Sequence, residues 1–253
     1  MRIIRAMLRS GSALALLLLC ACGNNGAGTA DAQVEPTGDS AVPDAGEPDA
    51  FDECPGQANF QVGVEDWADG GALAGVVVTD GNVQKSSAPN GRVVLCVANT
   101  GPITIRFSHD DYLDRVHSTT GEIVSELAST PGVASFRMLK PADADALYDG
   151  VGLTRAGDAV TAMAMVQERD SGSELAGATV SLDATNEGAY TPGEAADELL
   201  LGQVTQEDGR VLFLNAEAGA TSMTATGAGA CLAPASVELE AGSVSSATIA
   251  CSP

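Results

Sequence analysis

Hydrophobic residues follow three rhythms along this chain. From Ala13 to Leu19 they are continuous, inside an uncharged run of 11 residues, Gly11 to Ala21. That is too short to span a bilayer. Between residues 23 and 53 large apolar side chains nearly vanish. From Phe60 onward apolar and polar residues alternate. Phe60, Val62 and Val64 are interleaved with polar or small residues, as are Ile103, Ile105 and Phe107. A period of two predicts half-buried strands. Val76 to Thr79, Arg92 to Val97, Val133 to Leu139, Ala178 to Leu182 and Arg210 to Leu214 read as further strands. Asp69-Gly70-Gly71 and Ser171-Gly172 punctuate them as turns. Asn90-Gly91 and Asp208-Gly209 predict tight turns whose second residue takes φ > 0. One segment breaks the β rhythm. Pro141 suits the first turn of a short helix running to Asp149, with Gly150 as its stop.

The pattern occurs twice. Leu73-Ala74-Gly75-Val76-Val77-Val78 matches Leu175-Ala176-Gly177-Ala178-Thr179-Val180 at an offset of 102, and Gly70 matches Gly172. Asn90-Gly91-Arg92-Val93-Val94-Leu95 matches Asp208-Gly209-Arg210-Val211-Leu212-Phe213 at an offset of 118, as does Gly101 with Gly219. Two blocks in the same order imply a duplicated unit. The change of offset places 16 extra residues in the second copy, between about Asp183 and Thr205.

Composition sharpens this picture at its N-terminal end. The 253 residues carry 12 Lys and Arg against 34 Asp and Glu, a net charge of −22. Such a chain repels phosphate backbones, which excludes nucleic acid as a partner. Arg2, Arg5 and Arg9 precede the apolar run, the layout of a secretory signal. The run ends Leu19-Cys20-Ala21-Cys22-Gly23, which resembles a bacterial lipobox and implies lipidation at Cys22 after removal of residues 1–21. Gly23, where an Asp would favour inner-membrane retention, points to the outer membrane. Removing the leader takes away three Arg and no acid, leaving nine basic and 34 acidic residues, a net charge of −25. Residues 22–53 contain eight acids and no Lys or Arg. They read as a disordered, self-repelling tether.

The order of strand, turn glycine, Leu-Ala-Gly-x-x-Val, variable loop, Asn/Asp-Gly-Arg and strand resembles the carboxypeptidase regulatory-like domain, a transthyretin-like sandwich. The resemblance covers about residues 57 to 117 and 160 to 250. It implies that Gly75 and Gly177 turn the chain into the second strand, and that Gly91 and Gly209 form the following turn. The architecture expected is therefore all-β. Two tandem Greek-key β-sandwiches span residues 54–139 and 160–253, joined by a connector with a short helix at 140–159. The fold is grouped with carbohydrate-binding-like sandwiches, which implies a glycan-binding alternative by analogy.

Four cysteines remain beyond Cys22: Cys54, Cys96, Cys231 and Cys251. In an exported chain they read as two disulfides. Of the three possible pairings, the division into two copies favours Cys54 with Cys96 and Cys231 with Cys251.

Candidate chemistry is sparse. His109, Asp110, Asp111 and His117 contain the only two His of the chain and are the raw material for a metal-dependent enzyme. The segment reads as an exposed loop in a polar stretch. Asp143, Asp145 and Asp149 do not have the spacing of a calcium loop. No Gly-x-Ser-x-Gly elbow or Cys-x-x-Cys occurs. Trp67, the only Trp, falls by alternation on the face opposite Phe60, Val62 and Val64. There it either stacks on a sugar or partner or covers the sandwich edge. The insertion offers Tyr190 with Glu187, Glu194, Asp197 and Glu198, and its tail reads equally as a strand edge. Together these features predict a lipid-anchored envelope protein without catalysis or cofactor, holding the membrane through Cys22. Its partner would be an envelope glycan or protein.

Overall fold

The computed structural model describes residues 54–127, 134–193, 195 and 198–252. The expected signal segment, Cys22 and the tether lie outside these residues, as do Glu194 and Asp197. The fold is all-β. In the first copy β1 (Ala58–Asp66), β2 (Val77–Thr79), β3 (Gln84–Ser86), β4 (Arg92–Val97), β5 (Pro102–Ser108) and β6 (Arg115–Thr120) lead to helix α1 (Gly121–Leu127) and β7 (Ala134–Met138). The connecting helix α2 spans Pro141–Gly150, with Pro141 in its first turn as expected. The second copy comprises β8 (Val160–Glu168), β9 (Thr179–Leu182), β10 (Ala189–Pro192), β11 (Leu199–Leu201), β12 (Arg210–Ala216) and β13 (Gly219–Thr221). It ends with β14 (Met223–Thr226), β15 (Ala230–Leu232), β16 (Val237–Leu239) and β17 (Val244–Ser252).

The repeat is visible bond by bond. Val64 N–H donates to Gly91 O at 2.8 Å, and Val166 N–H to Gly209 O at 2.8 Å. Gly75 N–H donates to Ser87 O and Gly177 N–H to Thr205 O, both at 2.9 Å. The Ser87 hydroxyl returns a bond to Leu73 O at 2.6 Å, and the Thr205 hydroxyl to Leu175 O at 2.7 Å. Strand registers agree as well. Gly63 pairs with Arg92 in β1·β4, and Met165 with Arg210 in β8·β12. Each copy also closes by bringing its last strand back parallel to its first, β7 on β1 and β17 on β8. Gly91 and Gly209 adopt φ of +75° and +63°. A Cβ at either would lie 2.5 Å from a backbone oxygen, that of Val64 or of Val166. Only glycine fits there.

The copies are not two beads on a string. A long mixed sheet runs β11-β10-β12-β8-β17-β6-β5-β2-β3, with β15 also on β17. It crosses from one copy to the other where β17 pairs in parallel with β6. One face of this sheet is covered by the sheet β4-β1-β7 and by α2. The core there holds Phe60, Val62, Ile105, Phe107 and Phe136 of the first copy together with Met163, Met165, Leu212 and Leu214 of the second. The opposite face of β8, β12 and β17 packs under β9·β14 and β13·β16, around Val166, Val180, Phe213, Val237 and Ile249. Strands β8 and β17 are thus buried on both faces, whereas β1 and β5 alternate. The insertion in the second copy forms β10 and β11, which extend the sheet beyond β12.

Candidate functional site

The densest buried polar cluster lies where the two copies meet. In β6, Arg115 and His117 share the inward face with their β5 partners Phe107 and Ile105. Both are buried, at 2% and 1% exposure. The Arg115 guanidinium donates to Arg137 O at 2.7 Å and to Ser246 Oγ at 3.3 Å. It approaches the sulfurs of Met165 and Met163 at 3.5 and 3.7 Å and sits 4.9 Å above the Phe136 ring. The guanidinium thus meets a carbonyl, a hydroxyl and two thioethers. Burial, reinforced by the charge of Arg210, lowers its pKa to about 9, so it remains a cation at neutral pH. His117 lies beside it with Nδ1 3.0 Å from Ser246 Oγ and Nε2 3.3 Å from Thr248 Oγ1. Its ring meets Phe136 edge-on at 4.7 Å and stacks on Phe60 at 6.2 Å. Burial, and then the Arg115 charge, hold its pKa down to about 3, so the imidazole is neutral.

A second cluster ends the β1 side of the sandwich. Asp66 accepts hydrogen bonds from Lys140 Nζ and from Tyr112 Oη, both at 2.6 Å, and from Ala68 N–H at 2.7 Å. Lys140 also sits over the Tyr112 ring at 5.2 Å. Burial opposes ionisation of Asp66, and these hydrogen bonds outweigh it, bringing its pKa to about 2. The same contact with Asp66 raises the pKa of Lys140. The pair is a fixed ion pair closing the end of a sandwich, not a poised acid or base.

The structure pairs all four described cysteines as expected, Cys54 with Cys96 and Cys231 with Cys251. It corrects three other expectations. Trp67 does not face away from Phe60. It is 5% exposed within the same core, because β1 ends at Asp66 and the chain then turns inward, with Trp67 N–H on Met138 O at 2.9 Å. Tyr190 is 8% exposed, its ring turned from β10 into that core. Neither ring presents a face for a sugar. His109 and His117 do not converge. His109 lies beyond the end of β5 against the edge of Tyr112, while His117 is inside a strand, not in an exposed loop. Among the described residues no group of three or more His, Cys, Asp and Glu could hold a metal ion. Asp143, Asp145 and Asp149 ride on α2, where Asp145 pairs with Arg155 at 2.8 Å. No described helix is long and apolar enough to cross a membrane.

Arg115, Ser246 and Thr248 escaped the sequence reading because their side chains are of types that usually face solvent. The partial signal was the alternation of Arg115, His117 and Thr119 against Val116 and Ser118.

No family model matches this chain, and no curated protein matches it. Among solved structures it resembles the TIE protein of Bacillus anthracis at 11% identity, covering 78% of this chain and 34% of that one, with a TM-score of 0.24. The chain therefore spans about a third of that protein's length. The shaft pilin SpaA of Lactobacillus rhamnosus GG is similar at 10% identity over 78% of this chain and 98% of that one, TM-score 0.26. The minor pilin GBS52 of Streptococcus agalactiae is similar at 9% identity over 76% and 94%, TM-score 0.24.

Proposed function

We propose that this chain is an exported, lipid-anchored envelope protein without catalytic activity. In this reading Cys22 carries the lipid and residues 23–53 hold the folded part off the membrane. The duplicated β-sandwich, built from two diverged members of the carboxypeptidase regulatory-like family, presents a rigid acidic surface to a partner. The observation that carries the reading is the pairing of every cysteine after Cys22 into two disulfides. Such bonds persist in oxidising compartments outside the cytosol, and they leave Cys22 as the one thiol of the processed chain for the anchor. The sites described above fit a non-catalytic role. The imidazole of His117 is sealed in the core, and Asp66 and Lys140 are locked to each other. The glycan-binding alternative came by analogy of fold, and the burial of Trp67 and Tyr190 leaves it without an exposed ring from either candidate.

Metabolic labelling with an alkyne fatty acid tests the anchor. The full chain is expected to be labelled and to sediment with membranes. The Cys22→Ser chain is expected to be unlabelled. A wild-type chain that takes up no label, or a Cys22→Ser chain labelled as strongly as wild type, overturns the reading.

A further inference from the structure

Within the sheet the two copies pair at four positions, Val244 with Arg115, Ser245 with Val116, Ser246 with His117, and Ala247 with Ser118. The strands on either side are held more extensively. β17 pairs with β8 over eight positions and β6 with β5 over six. The junction is also rich in buried polar side chains. Ser118, Ser245 and Ser246 are buried in it alongside Arg115 and His117. We propose that this junction is an acid-sensitive seam, in which a proton on His117 parts β6 from β17 and loosens the coupling between the two copies.

The argument rests on what surrounds the imidazole. On its own strand the neighbouring inward group is the Arg115 cation. From β7 it meets Phe136, from β1 Phe60, and from β17 the hydroxyls of Ser246 and Thr248. The sulfurs of Met163 and Met165 on β8 complete the surroundings of Arg115. Beyond these lie two more cations, Arg137 and Arg210. Of the acids of that region, Glu65 pairs with Arg137 at 3.8 Å and Glu174 with Arg210 at 3.5 Å, while Asp208 accepts from the backbone N–H of Arg210 at 3.1 Å. No carboxylate therefore faces His117 among the contacts described. The two hydroxyls could accept from both ring nitrogens of an imidazolium, so hydrogen bonding does not oppose the proton. Charge does, because a second cation would enter an apolar core that already holds one. Water relieves it, and parting the four-pair junction would admit water to the ring.

Amide exchange on the mature chain tests this, with rates corrected for the intrinsic effect of pH. An imidazole that binds a proton near pH 6.5 when the seam is open, and only far lower when it is closed, makes opening about 30-fold more frequent at pH 5 than at pH 7.5. The amides of β6 and β17 that face each other are expected to lose protection by about that factor, while those of β1 and β4 keep theirs. His117→Gln retains a polar side chain that does not titrate, and it is expected to abolish the change. An equal loss in His117→Gln, or an equal loss in β1 and β4, overturns the proposal. Should that variant not fold, the wild-type imidazole signals decide, assigned by comparison with His109→Gln. His117 is expected to stay neutral until the seam amides exchange. A His117 that titrates near pH 6.5 with its seam amides still protected contradicts it.

Discussion

The two copies solve the same problem with different parts. Their shared hydrogen bonds and strand registers run through β1 and β8, β2 and β9, and β4 and β12. They differ at the edges. In the first copy β4 is an outer strand, and the Cys54–Cys96 bridge ties the segment before β1 to it. In the second copy the equivalent strand β12 is covered by β10 and β11, and the position matching Cys96 is Leu214, buried in the core. The bridge of the second copy is elsewhere, from β15 to Cys251 of β17, at the position matching Met138 of β7. The last strands differ most. β7 lies at the edge of its sheet, whereas β17 lies between β8 and β6. A duplicated unit can thus preserve its backbone bonds while each copy acquires its own staple, and fusion of the copies converts one edge into an interior strand.

The comparison can be broken at several points. Phe136→Ala should cost most. It removes a ring packed on Phe107 at 5.0 Å and touching both His117 and Arg115, about 3–5 kcal/mol in urea unfolding. A milder loss would mean that the junction repacks. Removal of either disulfide by a Cys→Ala pair should cost about 3–4 kcal/mol. The Cys54–Cys96 loss should be the larger by about half a kcal/mol, since its loop of 42 residues exceeds the 20 of the other. Gly91→Ala and Gly209→Ala should each cost about 2 kcal/mol or more, from the left-handed conformation and the close carbonyl. Equal costs would extend the equivalence of the copies from geometry to energy. A tolerated change at one site alone would end it. Leu201→Lys should shift stability by less than about 0.5 kcal/mol, since Leu201 is 81% exposed on β11. A larger loss would give this outer strand a packing role that its exposure denies.

Much of the fold was legible because it is written in local chemistry. The Asn-Gly and Asp-Gly turns need glycine at a positive φ, and Pro141 opens a helix where no donor is missed. The repeat carried the disulfide pairing, since each bridge closes within one copy. What was illegible depended on the contact between copies. Arg115 to Thr120 reads as a polar segment leaving a strand, and only the arrival of β17 makes it interior. Strand β17 looks half-polar, yet its small residues and hydroxyls pack between two layers. Trp67 was misplaced for a simpler reason. Alternation holds only while the strand lasts, and β1 ends one residue earlier. The chemical candidates fared accordingly, since His117, Trp67 and Tyr190 are core residues whose types resemble those of binding sites.

The account turns on a core closed by strands of both copies, so that neither copy melts without the other. Trp67 is the only Trp and lies in the first copy, which gives a direct test. Urea unfolding of the mature chain, followed at once by Trp67 fluorescence and by far-ultraviolet circular dichroism, should yield superimposable transitions with one midpoint. A fluorescence transition complete while half of the β signal persists would show two independent sandwiches and contradict the shared core.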